Sequence, residues 1–447
     1  MRSPRWFRTF ILVVGDLCMM YAGLFFALLL RYRSAFYEEF VAYHVVAFSI
    51  TFAVSLGILY IAGLYRPSRL RNSLDFFKTL FLVFVINFLI AVSIFYLVPI
   101  FGIAPKTNLV LSTAFFVIFE TAWRHTFNRR AMATASKLRV LSFGSGEVEK
   151  KITETISASP QLGYAIAAQV ENESIFPETV PALIKTYRPD LVIIPRHIKK
   201  DSSLARVFYG LLVSGILVKD SASFYEDLFK SVPVSDLEEA WFLENLSDHQ
   251  RFYDHIKRAL EFCGALIAFI IFSPVLLLIA LVVKATSHGP ALIRQKRVGR
   301  GGAPFTLYKF RSMVALSPDG LAETNGAQWA HPKDQRVTGL GKFLRASHLD
   351  ELPQLMNIIK GELSFVGPRP ERPEFVAVLK EKIPFYETRH LIQPGFTGWA
   401  QVNYRYGATV EDAMEKLQYD LYYLKNRSIV LDAAILLRTV RFFFVNE

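Results

Sequence analysis

The chain has 447 residues, 52% of them hydrophobic, with 39 Phe and a formal net charge of +12; its mean hydropathy is +0.29. That length has room for two or three domains, and a composition this apolar and basic points away from nucleic acid and toward anionic lipid or phosphorylated substrates. Cys18 and Cys263 both sit inside apolar runs, which excludes a disulfide framework or a zinc site.

Four apolar segments fill the first third, roughly 9–30, 41–65, 76–98 and 107–123. Each is close to the ~20 residues that a helix needs to cross hydrocarbon. Arg2, Arg5 and Arg8 precede the first segment, and Arg66, Arg69 and Arg71 follow the second. Arg124, Arg129, Arg130, Lys137 and Arg139 follow the fourth, while the loop before it has only Lys106. Arg31 and Arg33 are a mild exception. The bias predicts a four-helix transmembrane region over 1–130, with the N-terminus and everything after 124 in the cytoplasm. The first run has no small-residue cleavage site, so it is expected to be an anchor and not a removed signal. The competing reading is four buried helices of a large soluble core.

Residues 137–245 have the pattern of an α/β, Rossmann-like domain. KLRVLSFGSG resembles a strand running into a glycine-rich turn, and RPDLVIIP a second buried parallel strand. Gly144 and Gly146 invite a dinucleotide reading. The third glycine of the fingerprint is absent, and Glu147 and Glu149 follow. A structural or regulatory domain without bound cofactor is expected.

A fifth apolar run covers 259–283, interrupted by Ser273-Pro274, where proline removes a helix hydrogen bond. Lys257 and Arg258 precede it; Lys284, Arg294, Lys296, Arg297 and Arg300 follow. A crossing would place one of these clusters outside, against the charge bias. A re-entrant membrane helix hairpin over 255–285 satisfies both features, with the Ser273 hydroxyl as a partner for the freed backbone groups. An ordinary kinked transmembrane helix is the alternative. Residues 286–447 are too polar to span, and their tail, IVLDAAILLRTVRFFF, is an amphipathic helix suited to the membrane surface or to a core.

The chemistry concentrates at 347–370, SHLDELPQLMNIIKGELSFVGPRP. Leu349, Leu352, Leu355, Met356 and Ile359 repeat at helical spacing, Pro353 fits only near a helix start and Gly361 suits the stop. The helix should begin near 347–350, placing Asp350 and Glu351 at its positive end, where phosphate is also drawn. Adjacent carboxylates can bind a divalent metal, commonly Mg²⁺ where phosphates share the site. One of them can instead attack phosphorus, or both can simply cap the helix. Arg369 and Arg372 in GPRPERPEF offer forks for phosphate. LYKFRSM puts Lys309 and Arg311 on one face of a strand. RQKRVGRGG is a basic turn for anionic headgroups or a diphosphate, and QPGFTGWAQVNYRYG offers Trp399, Gln401 and Asn403 for base or sugar contacts. The bland readings are a solvated loop, a charged edge, a membrane-surface patch and aromatic packing, in that order.

Taken together, RQKRVGRGG, LYKFRSM, the run from Arg345 through DELPQL, NIIKG and SFVGPRP, and PGFTGWAQVNYRYG resemble the bacterial sugar transferase family, the monotopic polyprenyl-phosphate sugar-1-phosphate transferases. The likeness covers about 255–447, and the four-helix front with an α/β middle is similar to the family's larger branch. It implies a membrane-associated catalytic domain of mixed α/β fold over 286–447, on the cytoplasmic face of the bacterial inner membrane. It implies transfer of a sugar-1-phosphate from a UDP-sugar to undecaprenyl phosphate with Mg²⁺, releasing UMP and initiating a surface glycan. Asp350 would be the nucleophile, forming a phospho-sugar enzyme, and Glu351 would assist with metal or proton. Lys309, Arg311, Arg345, Arg369, Arg372 and Gln401 would contact phosphate or substrate, and Ser273-Pro274 would mark the re-entrant break. HL before Asp350, where SL is common, is a small departure. Membrane lipids and a second copy of the chain are the other expected partners. Two alternatives stand: direct attack by the lipid phosphate with both carboxylates on metal, and a membrane-anchored nucleotide-sensing scaffold.

Overall fold

The computed structural model describes residues 5–66, 70, 72–97, 106–133, 137–171, 175–196, 198, 202–246, 251–315, 336–404, 407 and 409–444. Arg2, Arg69, Arg71, Arg405 and Tyr406, on which the sequence reading drew, lie outside them. The chain divides into two compact units, Met1–Asp220 and Ser221–Glu447.

The first unit opens with α1 (Arg5–Tyr32), the single turn α2 (Phe36–Glu39), α3 (Val45–Ile61), α4 (Leu74–Leu97) and α5 (Lys106–Ala133). Leu24, Phe48, Leu80 and Phe116, drawn from the four long helices, lie in one apolar core. α1 tolerates Asp16 because that carboxylate is fully buried against the equally buried Arg124 of α5. Arg124 Nε also donates to Glu120 (2.8 Å) and its Nη1 to the Leu64 carbonyl (2.8 Å), while Asp16 accepts from Tyr65 (2.6 Å) and Trp123 (3.1 Å). Charges out of water persist only when paired in this way. Among the described residues of this unit, Thr9–Ala35 and Phe76–Tyr96 are long and apolar enough to cross a membrane. α3, with 17 residues, is a shorter apolar helix, and α5 carries the buried charges. The four helices therefore stand where expected, but only α1 and α4 have the length and apolarity to cross unaided.

Next come β1 (Leu138–Phe143), α6 (Glu147–Ala158), β2 (Tyr164–Val170), α7 (Thr179–Tyr187), β3 (Leu191–Ile194), α8 (Ser202–Val213) and β4 (Leu217–Asp220). The strands form a parallel sheet in the order β2-β1-β3-β4. The glycine turn leads into α6 as anticipated, with Gly144 at φ 98°. Glu149, 4% exposed, folds back over this turn: a Cβ on Gly146 would lie 2.7 Å from its Oε2. The helix N-terminus that cradles a pyrophosphate in dinucleotide-binding folds is here filled by the chain's own carboxylate.

The second unit contains α9 (Ser221–Phe229), α10 (Glu239–Asn245), α11 (Arg251–Thr286), β5 (Leu292–Val298), β6 (Pro304–Phe310), α12 (Gly339–Ala346), a 3₁₀ turn (Leu349–Gln354) and α13 (Leu355–Lys360). It continues with β7 (Ser364–Val366), α14 (Pro373–Lys382), β8 (Gly395–Thr397), α15 (Trp399–Asn403), α16 (Val410–Asn426) and α17 (Ile429–Phe444). β5 and β6 form an antiparallel hairpin; β7 and β8 pair in parallel. The sequence reading grouped residues 221–245 with the α/β segment. The structure instead buries Val232, Val234, Leu237 and Trp241 in one core with Val376, Leu379, Leu417 and Leu421.

α11 differs from the expected break, since it is one continuous helix through Pro274. Ser273 Oγ donates to the Ile270 carbonyl (2.7 Å), the acceptor that the missing proline N–H leaves open. The helix is long and apolar enough to cross a membrane over Phe252–Thr286. It docks on its own unit at two places. Ala265 is buried with Leu307, Leu355 and Ile358, and Ile279 and Val283 with Phe310 and Leu344. Between them Ile270, Ile271 and Leu277 are exposed.

Arg311, expected to bind phosphate, does something else. β6 ends at Phe310, so the strand alternation that would pair Arg311 with Lys309 stops one residue short. Its guanidinium, 2% exposed, donates to the Pro290 carbonyl (2.5 Å) and to the Ser287 carbonyl and hydroxyl (2.7 and 2.8 Å), closing the C-terminal end of α11. Arg389 is the other buried tie. It pairs with Asp420 (2.9 Å), and donates to Tyr386 (2.6 Å) and to the Arg369 carbonyl (3.0 Å).

Arg311→Lys, with one compact ammonium for several divergent acceptors, should destabilise the protein by about 1–3 kcal/mol, read as a lower thermal midpoint in detergent with substrate KM unchanged. Arg389→Leu should cost about 3–5 kcal/mol, because it strands Asp420 in the interior; the double variant with Asp420→Leu should recover part of that loss.

Candidate active site

The acidic pair stands on a tight turn. His348 takes the left-handed conformation at φ 53°, and the chain enters a 3₁₀ turn, not the α-helix expected from 347–350. α13 follows and ends at Gly361, φ 83°, where glycine carries no Cβ penalty. Both acids stand in the first turn of this 3₁₀ segment, whose N-cap, His348, makes no side-chain cap hydrogen bond.

The two carboxylates have different surroundings. Glu351 accepts a hydrogen bond from Lys309 of β6 (2.5 Å) and lies 3.5 Å from Arg369 Nη2. Burial pushes its carboxyl up, but Lys309 and Arg369 outweigh that and hold it at about 2. Asp350 is 8% exposed. Among the described residues its carboxylate has no hydrogen bond or ion pair. Burial raises its pKa, Lys309 opposes, and the charge of Glu351 raises it further. Two adjacent acids are thus pushed apart in character, the pattern that separates roles at a reactive centre.

Lys309 is placed by a buried residue that sequence reasoning named only within the NIIKG motif. Asn357, 0% exposed, accepts from the Tyr308 N–H (3.2 Å) and donates to the Thr306 carbonyl and Glu362 (2.7 Å each). It locks α13 to β6 and so sets Lys309 against Glu351. Arg345, on the last turn of α12, is exposed, donates to Ser312 Oγ (2.8 Å) and lowers the pKa of Asp350. Arg369, which lies against Glu351, is 39% exposed in its side chain. Arg372 precedes α14 as its N-cap residue, 3.5 Å from Glu374.

Arg297 is a further member that sequence reasoning named only as a basic flank of the apolar run and within its motif. It donates to the Pro370 carbonyl (3.0 Å) and Gln295 (2.6 Å). Burial lowers its pKa to about 10; Glu371 opposes this, and Arg369 and Arg372 add to it. Strand register was the available signal, because counting by twos from Lys309's partner Ile293 reaches Arg297. Gln401 stands on α15, its Nε2 3.4 Å from the Phe396 carbonyl and its Oε1 buried without a hydrogen-bond partner. No contact among the described residues joins it to the acidic pair.

No cluster of three or more His, Cys, Asp or Glu suited to a metal occurs among the described residues. Mg²⁺ does not need one, since it is commonly held by one or two carboxylates with phosphate oxygens and water. The unpaired Asp350 carboxylate, with Glu351 beside it, fits that minimal share.

Comparison with known proteins agrees with this geometry. A family model described as bacterial sugar transferase matches residues 252–446. The chain is 45% identical over 189 residues to the UDP-N-acetylgalactosamine-undecaprenyl-phosphate N-acetylgalactosaminephosphotransferase of Aeromonas hydrophila, which covers 42% of this chain and 44% of the relative. It is 40% identical over 194 residues to the UDP-glucose:undecaprenyl-phosphate glucose-1-phosphate transferase of Escherichia coli (strain K12), covering 43% and 41%. With these two it shares under half of their lengths. With the protein of the same name from Klebsiella pneumoniae it is 32% identical over 332 residues, covering 70% of this chain and 69% of the relative. That breadth, and an acidic pair set against Lys309 and Arg369, place the chain in the bacterial sugar transferase family.

Proposed function

We propose that the protein is a phosphoglycosyl transferase that moves a sugar-1-phosphate from a UDP-sugar to undecaprenyl phosphate, releasing UMP and initiating exopolysaccharide, capsule or O-antigen synthesis. The observation that carries this reading is the asymmetry of the acidic pair, with Glu351 held ionised by two cations and Asp350 buried beside it with no hydrogen bond or ion pair among the described residues.

In this reading an Asp350 oxygen attacks the β-phosphorus of the UDP-sugar. The bond from that phosphorus to the bridging oxygen breaks, and UMP leaves with the electron pair. An oxygen of undecaprenyl phosphate then attacks the same phosphorus, the Asp350–phosphorus bond breaks, and undecaprenyl-diphosphate-sugar forms. Once ionised, Asp350 is the more basic carboxylate of the pair, and it is not held by Lys309 as Glu351 is, so it is the one assigned the attack. Arg369 and Lys309 bring positive charge to two anionic substrates that repel each other. Arg345 lies close enough to Asp350 to add to that field, and Arg372 lies close to Arg297. Asp350 and Glu351 would hold Mg²⁺, which when bound would neutralise charge on the transferring phosphate.

The same proposal places α11 in the cytoplasmic leaflet of the bacterial inner membrane as a re-entrant element. Basic residues at both its ends and two docking sites on one catalytic unit support that placement. The first four long helices would form a transmembrane region, and 137–220 a Rossmann-like domain of structural or regulatory role. The names of the relatives carry both glucose and N-acetylgalactosamine, so membership of the family leaves the sugar open.

Asp350→Asn should lower UMP release by at least about 10³-fold while the thermal midpoint holds; normal turnover would remove the nucleophile role. Chelation with EDTA should stop release and added Mg²⁺ should restore it, whereas activity that survives chelation would exclude the metal.

A further inference from the structure

The segment Ser221–Leu246 lies outside the region matched by the family model, which begins at 252. It is nonetheless built into the second unit. Val232 donates its N–H to the Gln418 carbonyl (2.9 Å), Tyr225 donates to the Gln418 side chain (3.1 Å), and Lys425 pairs with Glu226 (2.8 Å) and lies over the Trp241 ring. Phe242 packs on Phe385, their ring centres 4.7 Å apart. These contacts make the segment a strap across α14 and α16.

One contact leads toward the reacting groups. Lys230, in the left-handed region at φ 58°, turns its backbone carbonyl to the Trp399 indole, which donates to it at 2.8 Å. Trp399 is 6% exposed. Tyr422 stacks on it with ring centres 5.9 Å apart, and the Arg438 guanidinium lies 4.9 Å from its centre. Its ring is therefore gripped by neighbours of the family region, and its N–H by the strap. The preceding Gly398 packs so closely on Gly367 that a Cβ would fall 2.2 Å from the Gly367 carbonyl oxygen. Gly367 N–H donates to Thr397 (2.9 Å) and Gly395 N–H to Pro368 (2.8 Å). Pro368 precedes Arg369, whose fork faces Glu351.

We propose that the strap is a positioning element for the donor site, with Trp399 as its positioning residue: the Lys230 carbonyl fixes the indole, the indole fixes the β8–α15 corner, and the corner fixes the backbone that carries Arg369. The ligand affected is the diphosphate of the nucleotide sugar, because Arg369 is the exposed cation at the end of this chain of contacts. This proposal rests on the transferase reading above.

The test uses the full-length protein in lipid nanodiscs with Mg²⁺, undecaprenyl phosphate and the UDP-sugar that the wild type turns over. Trp399→Phe keeps a ring and removes the N–H. The UDP-sugar KM should rise about tenfold, the equivalent of about 1.4 kcal/mol, with kcat within about twofold, a split that marks lost ground-state binding. Glu226→Gln, remote from substrate, loosens the strap through Lys425 and should raise KM in the same direction by a smaller factor. It keeps the proposal testable should Trp399→Phe fold poorly. Unchanged KM in both variants, or a lower thermal midpoint with KM preserved, would overturn the proposal. Failure of the wild type to release UMP from any UDP-sugar would instead sink the transferase reading.

Discussion

The ion pair between Lys309 and Glu351 is the contact on which the site depends. It joins the β5–β6 hairpin to the 3₁₀ turn, and it makes two neighbouring acids different. A carboxylate held at about 2 stays charged under all working conditions. Its fixed charge raises the group beside it. Burial alone would have raised both; the pair of cations on Glu351 decides which acid is held and which is left unpaired.

The rest of the second unit can be understood as support for that contact. Asn357 ties the turn's helix to the strand bearing Lys309. Arg258 donates to the Ile358 and Ile359 carbonyls (2.5 and 2.7 Å), and Lys257 to the Val366 carbonyl (2.8 Å). The apolar helix thereby holds both α13 and β7, and β7 leads to Arg369. Arg311 closes the other end of the same helix. The apolar helix and the turn that carries the acidic pair are thus one piece of structure. Under the function proposed above, that would let the helix set the height of the carboxylates at a lipid phosphate. In the first unit Asp16, Glu120 and Arg124 play the comparable part, as a buried charge cluster that joins α1, the turn after α3, and α5.

What the sequence made legible follows from locality. The apolar helices, the glycine turn after β1, the parallel α/β alternation and the acidic pair Asp350–Glu351 were readable, because each is written in a short stretch with its own periodicity or charge; that Lys309 and Arg369 meet Glu351 is a long-range contact. The partner of the Ile270 carbonyl that Pro274 leaves open was readable for the same reason, since Ser273 is adjacent to the proline. Long-range choices were not. Val232 and Trp241 are apolar wherever they pack, and only tertiary structure assigns them to α14 and α16 and not to the sheet. Arg311 looked equivalent to Lys309 until the strand ended between them. Asn357 and Arg297 are ordinary polar residues in sequence and gain their roles from partners across a hairpin. α5 reads as apolar to residue 123, yet its packing is fixed by two charges.

The central claim is that Asp350 itself meets phosphorus. Mass spectrometry of the full-length protein, incubated with Mg²⁺ and the UDP-sugar it turns over but without lipid acceptor, tests this most directly. The account predicts one sugar-phosphate adduct, mapped to the peptide that contains Asp350 and discharged when undecaprenyl phosphate is added. An unmodified protein, under conditions where UMP release proceeds once lipid is supplied, would contradict it.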